Sequence, residues 1–178
     1  MKDKDAQVLD EIDALVLEGQ TDIYAELDAW SLRVNGVPVP QGSKTAFRHS
    51  KTGRVVMVDA NKNLADWRAL VTARARSAWG VGRPPLEGPV IVTALFYLPR
   101  PKGHYGTGRN AGVLKKTAPV YPTVKPDLDK LVRSVFDSLK DAGVWRDDAI
   151  CVGLGGSGKF YADVVEPGVA LTLDWGTP

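Results

Sequence analysis

Residues 89–99, PVIVTALFYLP, form an eleven-residue run without a charged side chain, preceded by the turn-rich stretch Gly80 to Pro89. A short continuous apolar run bounded by turn residues is the signature of a strand in the middle of a sheet, so the rest of the chain has to supply its neighbours. The run falls well short of the roughly 18 apolar residues that a membrane span needs, and no other run is closer to that length.

The segments on either side supply those neighbours. WSLRVNGVPVP, from Trp30, alternates apolar and polar residues, and TAFRHSKTGRVVMVD reads as two short strands joined by a Ser-Lys-Thr-Gly turn. Asn61 or Asn63 then caps a helix that runs to about Trp79, with Leu64, Trp67, Leu70, Val71, Ala75 and Ala78 as its apolar stripe. A second helix is expected from Asp127 to Asp141. Leu128, Leu131, Val132, Val135, Phe136 and Leu139 fill one of its faces, Pro126 suits its opening and Gly143 its end. After the turn GVWRDD come the strand AICVGLGG, a glycine-rich hairpin at Gly153 to Gly158, and the strands KFYADVV and GVALTLDW. The expected fold class is α+β: a single mixed β-sheet of about five to six strands with two main helices packed on it, plus an acidic helical N-terminal appendage.

At 178 residues and 44% hydrophobic composition, the chain is long enough to bury one ordinary core. Its lone cysteine, Cys151, excludes an internal disulfide and falls in the apolar stretch AICVGL, where a buried strand thiol is expected rather than a nucleophile. MKDKDAQ lacks the basic-then-apolar order of a signal peptide, and the expected location is the cytoplasm, of a bacterium or a phage-infected host.

The formal net charge of +2 conceals a division. Residues 1–29 hold nine acidic and two basic side chains, net −7, whereas residues 30–178 hold twenty-one basic and twelve acidic ones, net +9. The first segment reads as an acidic amphipathic appendage and the rest as a basic body. Such a body favours a polyanionic partner, because lysine and arginine release condensed counterions from phosphates. Lys44, Arg48, Lys51 and Arg54 cluster on the predicted hairpin. Arg100 to Lys125 is richer still, carrying Arg100, Lys102, Arg109, Lys115, Lys116 and Lys125 with no acid. A long segment without regular structure inside a compact domain is usually functional or disordered. The interleaved Tyr105 and Tyr121 favour a strand-tracking loop whose rings stack on bases.

Three carboxylates lie within reach of this loop in sequence: Asp127 and Asp129 in KPDLDK, and Asp148 in WRDD. Two acids at Asp-x-Asp spacing repel one another unless a cation lies between them, and hard oxygen ligands suit Mg2+ or Mn2+. Read singly, Asp127 and Asp129 are equally well explained as acids at a helix start, and Asp147 and Asp148 as turn residues. Their joint arrangement points further. A helical hairpin of about twenty residues would return Asp148 towards the end that carries Asp127 and Asp129.

Residues 120–152, VYPTVKPDLDKLVRSVFDSLKDAGVWRDDAICV, resemble the signature region of the RusA family of Holliday junction resolvases. The matches are Asp127, Asp129 and Leu131, then Phe136, Asp137 and Leu139, then Gly143, Trp145, Asp147 and Asp148. VNGVPVPQGSKTAF and GPVIVTALFYLPRPK also resemble the family's first strands, so the likeness spans most of residues 30–175 and makes 30–178 the nuclease domain. The resemblance implies that Asp127, Asp129 and Asp148 are the metal-site aspartates, with Asp147 as a neighbouring acid that supports them. Lys130 stands where the family often has asparagine, and Arg133 where it often has a catalytic lysine. An always-charged guanidinium relays no proton, so Arg133 is assigned to phosphate or transition-state contact, and Lys125 and Lys130 add positive charge for DNA. What the resemblance implies overall is a Mg2+-dependent endonuclease, with Mn2+ as a substitute, that resolves four-way DNA junctions as a homodimer in recombination and repair. The alternatives are a nucleic-acid-binding protein of the same fold that does not cleave, and a metal-dependent phosphatase or nucleotide hydrolase.

Overall fold

The computed structural model describes residues 28–42, 44–48, 52–59 and 62–176, and for 44–48 and 55–59 the backbone alone. The expected appendage of residues 1–29 therefore lies almost wholly outside the described residues, as do Lys51, Asn61 and the side chains of Lys44 and Arg48.

The apolar run at 89–99 forms β4 (Val90–Leu98). Val90, Val92, Ala94, Phe96 and Leu98 are buried on one face, while Ile91, Thr93, Leu95 and Tyr97 are half-covered on the other. The strand does occupy the middle of the sheet. On one side it pairs antiparallel with β7 (Gly168–Trp175), which pairs antiparallel with β1 (Asp28–Asn35). On the other it pairs parallel with β5 (Cys151–Leu154) and β6 (Gly158–Tyr161). The result is a mixed five-stranded sheet, with β2 (Lys44–Arg48) and β3 (Val55–Asp59) as a separate antiparallel ribbon. Where β7 meets β1, a Cβ on Gly168 would collide with the Val34 carbonyl oxygen, so this close approach requires glycine.

One expectation about topology is corrected. The glycine-rich stretch Gly153 to Gly158 does not turn the chain back as a hairpin; β5 and β6 run in line along the same edge of β4. Cys151 pairs with Val90 and Leu154 with Val92, and then Gly158 with Leu95 and Tyr161 with Leu98. Between them the ladder is bridged by Gly155 N–H donating to Val92 O at 3.0 Å and Ala94 N–H donating to Ser157 Oγ at 2.9 Å.

The first helix, α1 (Leu64–Trp79), has Asn63 at its N-cap position and buries Leu64, Trp67, Val71, Ala75 and Trp79. Leu70 and Ala78, expected on that stripe, are exposed. The second helix, α2 (Leu128–Ala142), buries Leu131, Val132, Val135 and Leu139 in the same core as β4, with Leu128 and Phe136 partly covered. It ends in a Schellman arrangement: Gly143 adopts φ 81°, its N–H donates to Lys140 O, and the Val144 N–H donates to Leu139 O. The two helices meet through small residues. Ser134 and Ser138 are fully buried, Trp67 Nε1–H donates to Ser134 Oγ at 3.3 Å, and the Thr72 hydroxyl donates to Ser138 O at 3.2 Å. At the rim Arg68 pairs with Asp137 at 3.3 Å and Asp141 at 2.6 Å. Among the described residues no helix is long and apolar enough to cross a membrane.

Candidate active site and nucleic-acid interface

The parallel crossover from β4 through α2 to β5 decides where the acids lie. Asp127 is the extended N-cap residue of α2, and Asp129 lies in its first turn. Lys159, on β6, holds this entrance in place: its ammonium donates to Val124 O at 2.7 Å and Pro126 O at 2.9 Å. From the other side the linker after β1 docks on the first turn, with Gln41 N–H donating to Lys130 O at 2.8 Å. Lys130 Nζ in turn contacts Asp127 Oδ2 at 2.8 Å. That ammonium, with added charge from Lys125 and Lys159, holds the Asp127 carboxyl below the usual carboxylate range, and Asp127 correspondingly raises the Lys130 amine.

Asp148 opens a single 3-10 turn, Asp148–Ile150, that leads into β5. Asp147 precedes it and accepts the Ala149 N–H at 2.9 Å, a bond that, with the Lys140 charge, keeps its carboxyl low. Asp148 shares a surface recess with Phe136, Cys151 and residues 152–154. Phe136 stands seven residues beyond Asp129, about 10 Å along the helix axis. The α2 crossover therefore brings Asp148 back beside α2, in the recess that Phe136 lines. Among the described residues no group of three His, Cys, Asp or Glu side chains is already gathered to hold a metal ion. The chemistry of the donor set still suits a hard divalent ion. Asp129 and Asp148 are exposed carboxylates, and Mg2+ is typically held by one or two carboxylates completed by water and substrate phosphate.

The basic residues separate into engaged and available groups. Arg100, expected to contact DNA, instead anchors the loop: it makes two 2.6 Å bonds to the Asp163 carboxylate and donates to Pro119 O at 2.8 Å. Its guanidinium lies 4.0 Å from the Tyr161 ring centre, and the side chain is only 4% exposed. Burial among these partners removes Arg100 from the surface that can meet phosphate. The pair also holds the Asp163 carboxyl well below the ordinary range. The loop it anchors has short 3-10 turns at Lys102–His104 and Gly108–Asn110 and isolated bridges Tyr105 to Leu114 and Gly106 to Ala111, so the expected absence of structure is only partial. Lys102, Arg109, Lys115, Lys116 and Lys125 are exposed and form no ion pair with any described residue, although Lys115 Nζ also donates to Gly103 O at 2.8 Å. Tyr121 is 58% exposed and packs edge-on against Phe160 on β6. Arg54, on the ribbon, and Arg133, one turn beyond Asp129 on α2, are exposed as well.

The neighbours of Asp127 include residues the sequence does not single out. Gln41, Lys62 and Lys159 reach it only through tertiary structure. Cys151 is half-buried, its thiol donates to Gly153 O at 3.4 Å, and burial pushes that thiol up, away from the reactive thiolate.

These features define a class: an α+β domain that presents acids and unpaired cations on the surface around one helix and the loop leading into it. The family model of endodeoxyribonuclease RusA matches residues 35–174, and the chain belongs to that family. It is also 30% identical over 149 residues to the uncharacterised protein YqaN of Bacillus subtilis (strain 168), a match that covers 83% of this chain and 96% of that protein.

Proposed function

We propose that this protein is a Mg2+-dependent, structure-selective endonuclease that resolves four-way DNA junctions as a homodimer, in recombination and repair and in phage systems. The observation that carries the reading is the family match over residues 35–174, which takes in Asp127, Asp129 and Asp148 together with the cations around α2. Exposed carboxylates beside phosphate are a cost to a protein that only binds nucleic acid.

Asp127, Asp129 and Asp148 would hold the ion, with Mn2+ able to replace Mg2+, and Asp147 would support Asp148 from the preceding position. When bound, such an ion neutralises phosphate charge and acidifies water for phosphodiester hydrolysis. The chain's own residues have separate tasks. Arg133, Lys125 and Lys130 place positive charge where the scissile phosphate and its leaving oxygen gain negative charge. Lys102, Arg109, Lys115 and Lys116 draw the strand in, Arg54 extends the basic surface, and the exposed ring of Tyr121 offers a base a stacking face. Lys44, Arg48 and Lys51 belong to the same proposed surface.

Labelled four-way junction, linear duplex and free nucleotide, each incubated with Mg2+ or with chelator, test the reading. Symmetric metal-dependent nicks in the junction alone are expected. Asp129→Asn should abolish those nicks while keeping or tightening junction binding, since a charge that repels phosphate is removed. Tight junction binding without cutting in Mg2+ or Mn2+ would instead identify a non-cleaving binder.

A further inference from the structure

A cleft of about 850 Å3 runs between the β1–β2 linker, residues 37–42, and the start of α2 at Lys125, Asp127 and Lys130, with Lys62 at its edge. We propose that this cleft takes one unstacked nucleotide of the DNA strand whose phosphate reaches Asp127 and Asp129. The proposal rests on the nuclease reading above and adds a binding site to it.

The dimensions suit such an occupant, because pockets of several hundred Å3 hold small organic ligands, and a nucleotide is in that range. The chemistry divides as a nucleotide does. One wall is the charge-free run from Val37 to Pro40, where Pro38 and Val39 are buried and the face of a base can lie on Val37, which is 56% exposed, and on the half-covered Pro40. Lysines 62, 125 and 130 outnumber the single carboxylate, Asp127, so the cleft as a whole favours an anion. Gln41 supplies the means of reading the base. Its backbone N–H is fixed on Lys130 O at 2.8 Å, while its side-chain oxygen is shielded from water and accepts no hydrogen bond from the described residues. An amide oxygen in that state is costly until a donor reaches it. Rotation about the last side-chain torsion, which is soft in glutamine, turns the amide towards a base edge and offers both an acceptor and a donor. The cleft opens beside Asp127, so a nucleotide seated there leaves its flanking phosphate at the acids.

The test uses junctions carrying 2-aminopurine at successive positions around the strand-exchange point, bound in chelator so that no cutting occurs. The fluorescence of this base rises when it leaves the stack. With the wild-type protein a rise of at least about threefold is expected at one position. It should be lost in Val37→Trp, which fills the cleft from an exposed position and leaves the core intact. Gln41→Leu should retain the rise but reduce the spread of junction affinities among the four bases at that position to within twofold. Absence of any rise, or a rise undiminished in Val37→Trp, overturns the proposal. An unchanged base preference in Gln41→Leu also overturns the assignment of Gln41. Junction cutting in Mg2+ without a rise sinks the cleft and spares the nuclease, whereas a rise without cutting in Mg2+ or Mn2+ does the reverse.

Discussion

A lysine directly after an Asp-x-Asp pair puts an ammonium one helical turn from the first acid, and Lys130 uses that spacing to sit 2.8 Å from Asp127. The tethered cation stands on an oxygen that the proposed metal would need, so the two compete. Lys130→Met should tighten Mn2+ binding, read by titration calorimetry or by loss of the free-ion resonance signal, by about two- to fivefold, the scale of an exposed ion pair. Lys125→Met is the control, because Lys125 adds charge nearby without making an ion pair, and its effect should be smaller. Equal effects from both would mean that bulk charge, not the Lys130 contact, sets the affinity. At this scale the sequence was informative for Asp127 and Asp129, since Pro126 and the apolar spacing of α2 fix the helix start that carries them. It was silent on Gln41 and Lys159. Gln41 depends on the docking of a linker, and Lys159 on the pairing of β6 with β4, which brings it to Pro126 from 33 residues away.

At the level of elements, local chemistry was legible wherever it is self-sufficient. Gly143 marks the end of α2 because only a left-handed residue closes the Schellman bonds to Leu139 and Lys140. Gly143→Ala should cost about 1–2 kcal/mol in urea unfolding, the penalty for a Cβ in that region, with junction affinity unchanged in the folded protein. The stretch Gly153 to Gly158 was misread because a strand–turn–strand and a strand–jog–strand have the same local composition. What decides between them is β4, whose nine-residue edge accommodates β5 and β6 end to end. Arg100 was misassigned for a similar reason: its partner Asp163 lies 63 residues away and only the folded sheet brings it near. The rest of that loop remains available to DNA. Changing Lys115 and Lys116 together to alanine should weaken junction binding and flatten its dependence on log salt by up to about two counterions. An unchanged slope would show that the loop points away from the duplex.

For the whole molecule, paired incision of a junction requires two sites related by a two-fold axis, and the sheet offers two edges where a second copy can join. They differ in a way that selects one. β1 exposes Asp28, Ser31, Arg33 and Asn35, a polar and charged border of the kind that resists strand addition. The opposite border, β5 with β6, pairs with nothing beyond β4 among the described residues, and it carries Val152 at 67% and Leu154 at 54% exposure. Exposed apolar residues on a border strand are a template for association, and they lie within six residues after Asp148, so an interface there would set the distance between paired sites. The proposed homodimer should fall to monomer in sedimentation equilibrium when Val152 and Leu154 are both replaced with lysine, with the far-ultraviolet dichroism of the fold left intact. The monomer should then nick single strands of a junction without pairing the cuts. Ser31→Lys on the β1 border should leave both the dimer and the paired cuts unchanged. A dimer that survives the first change and yields to the second would move the two-fold axis to β1, on the opposite side of the sheet from Asp148.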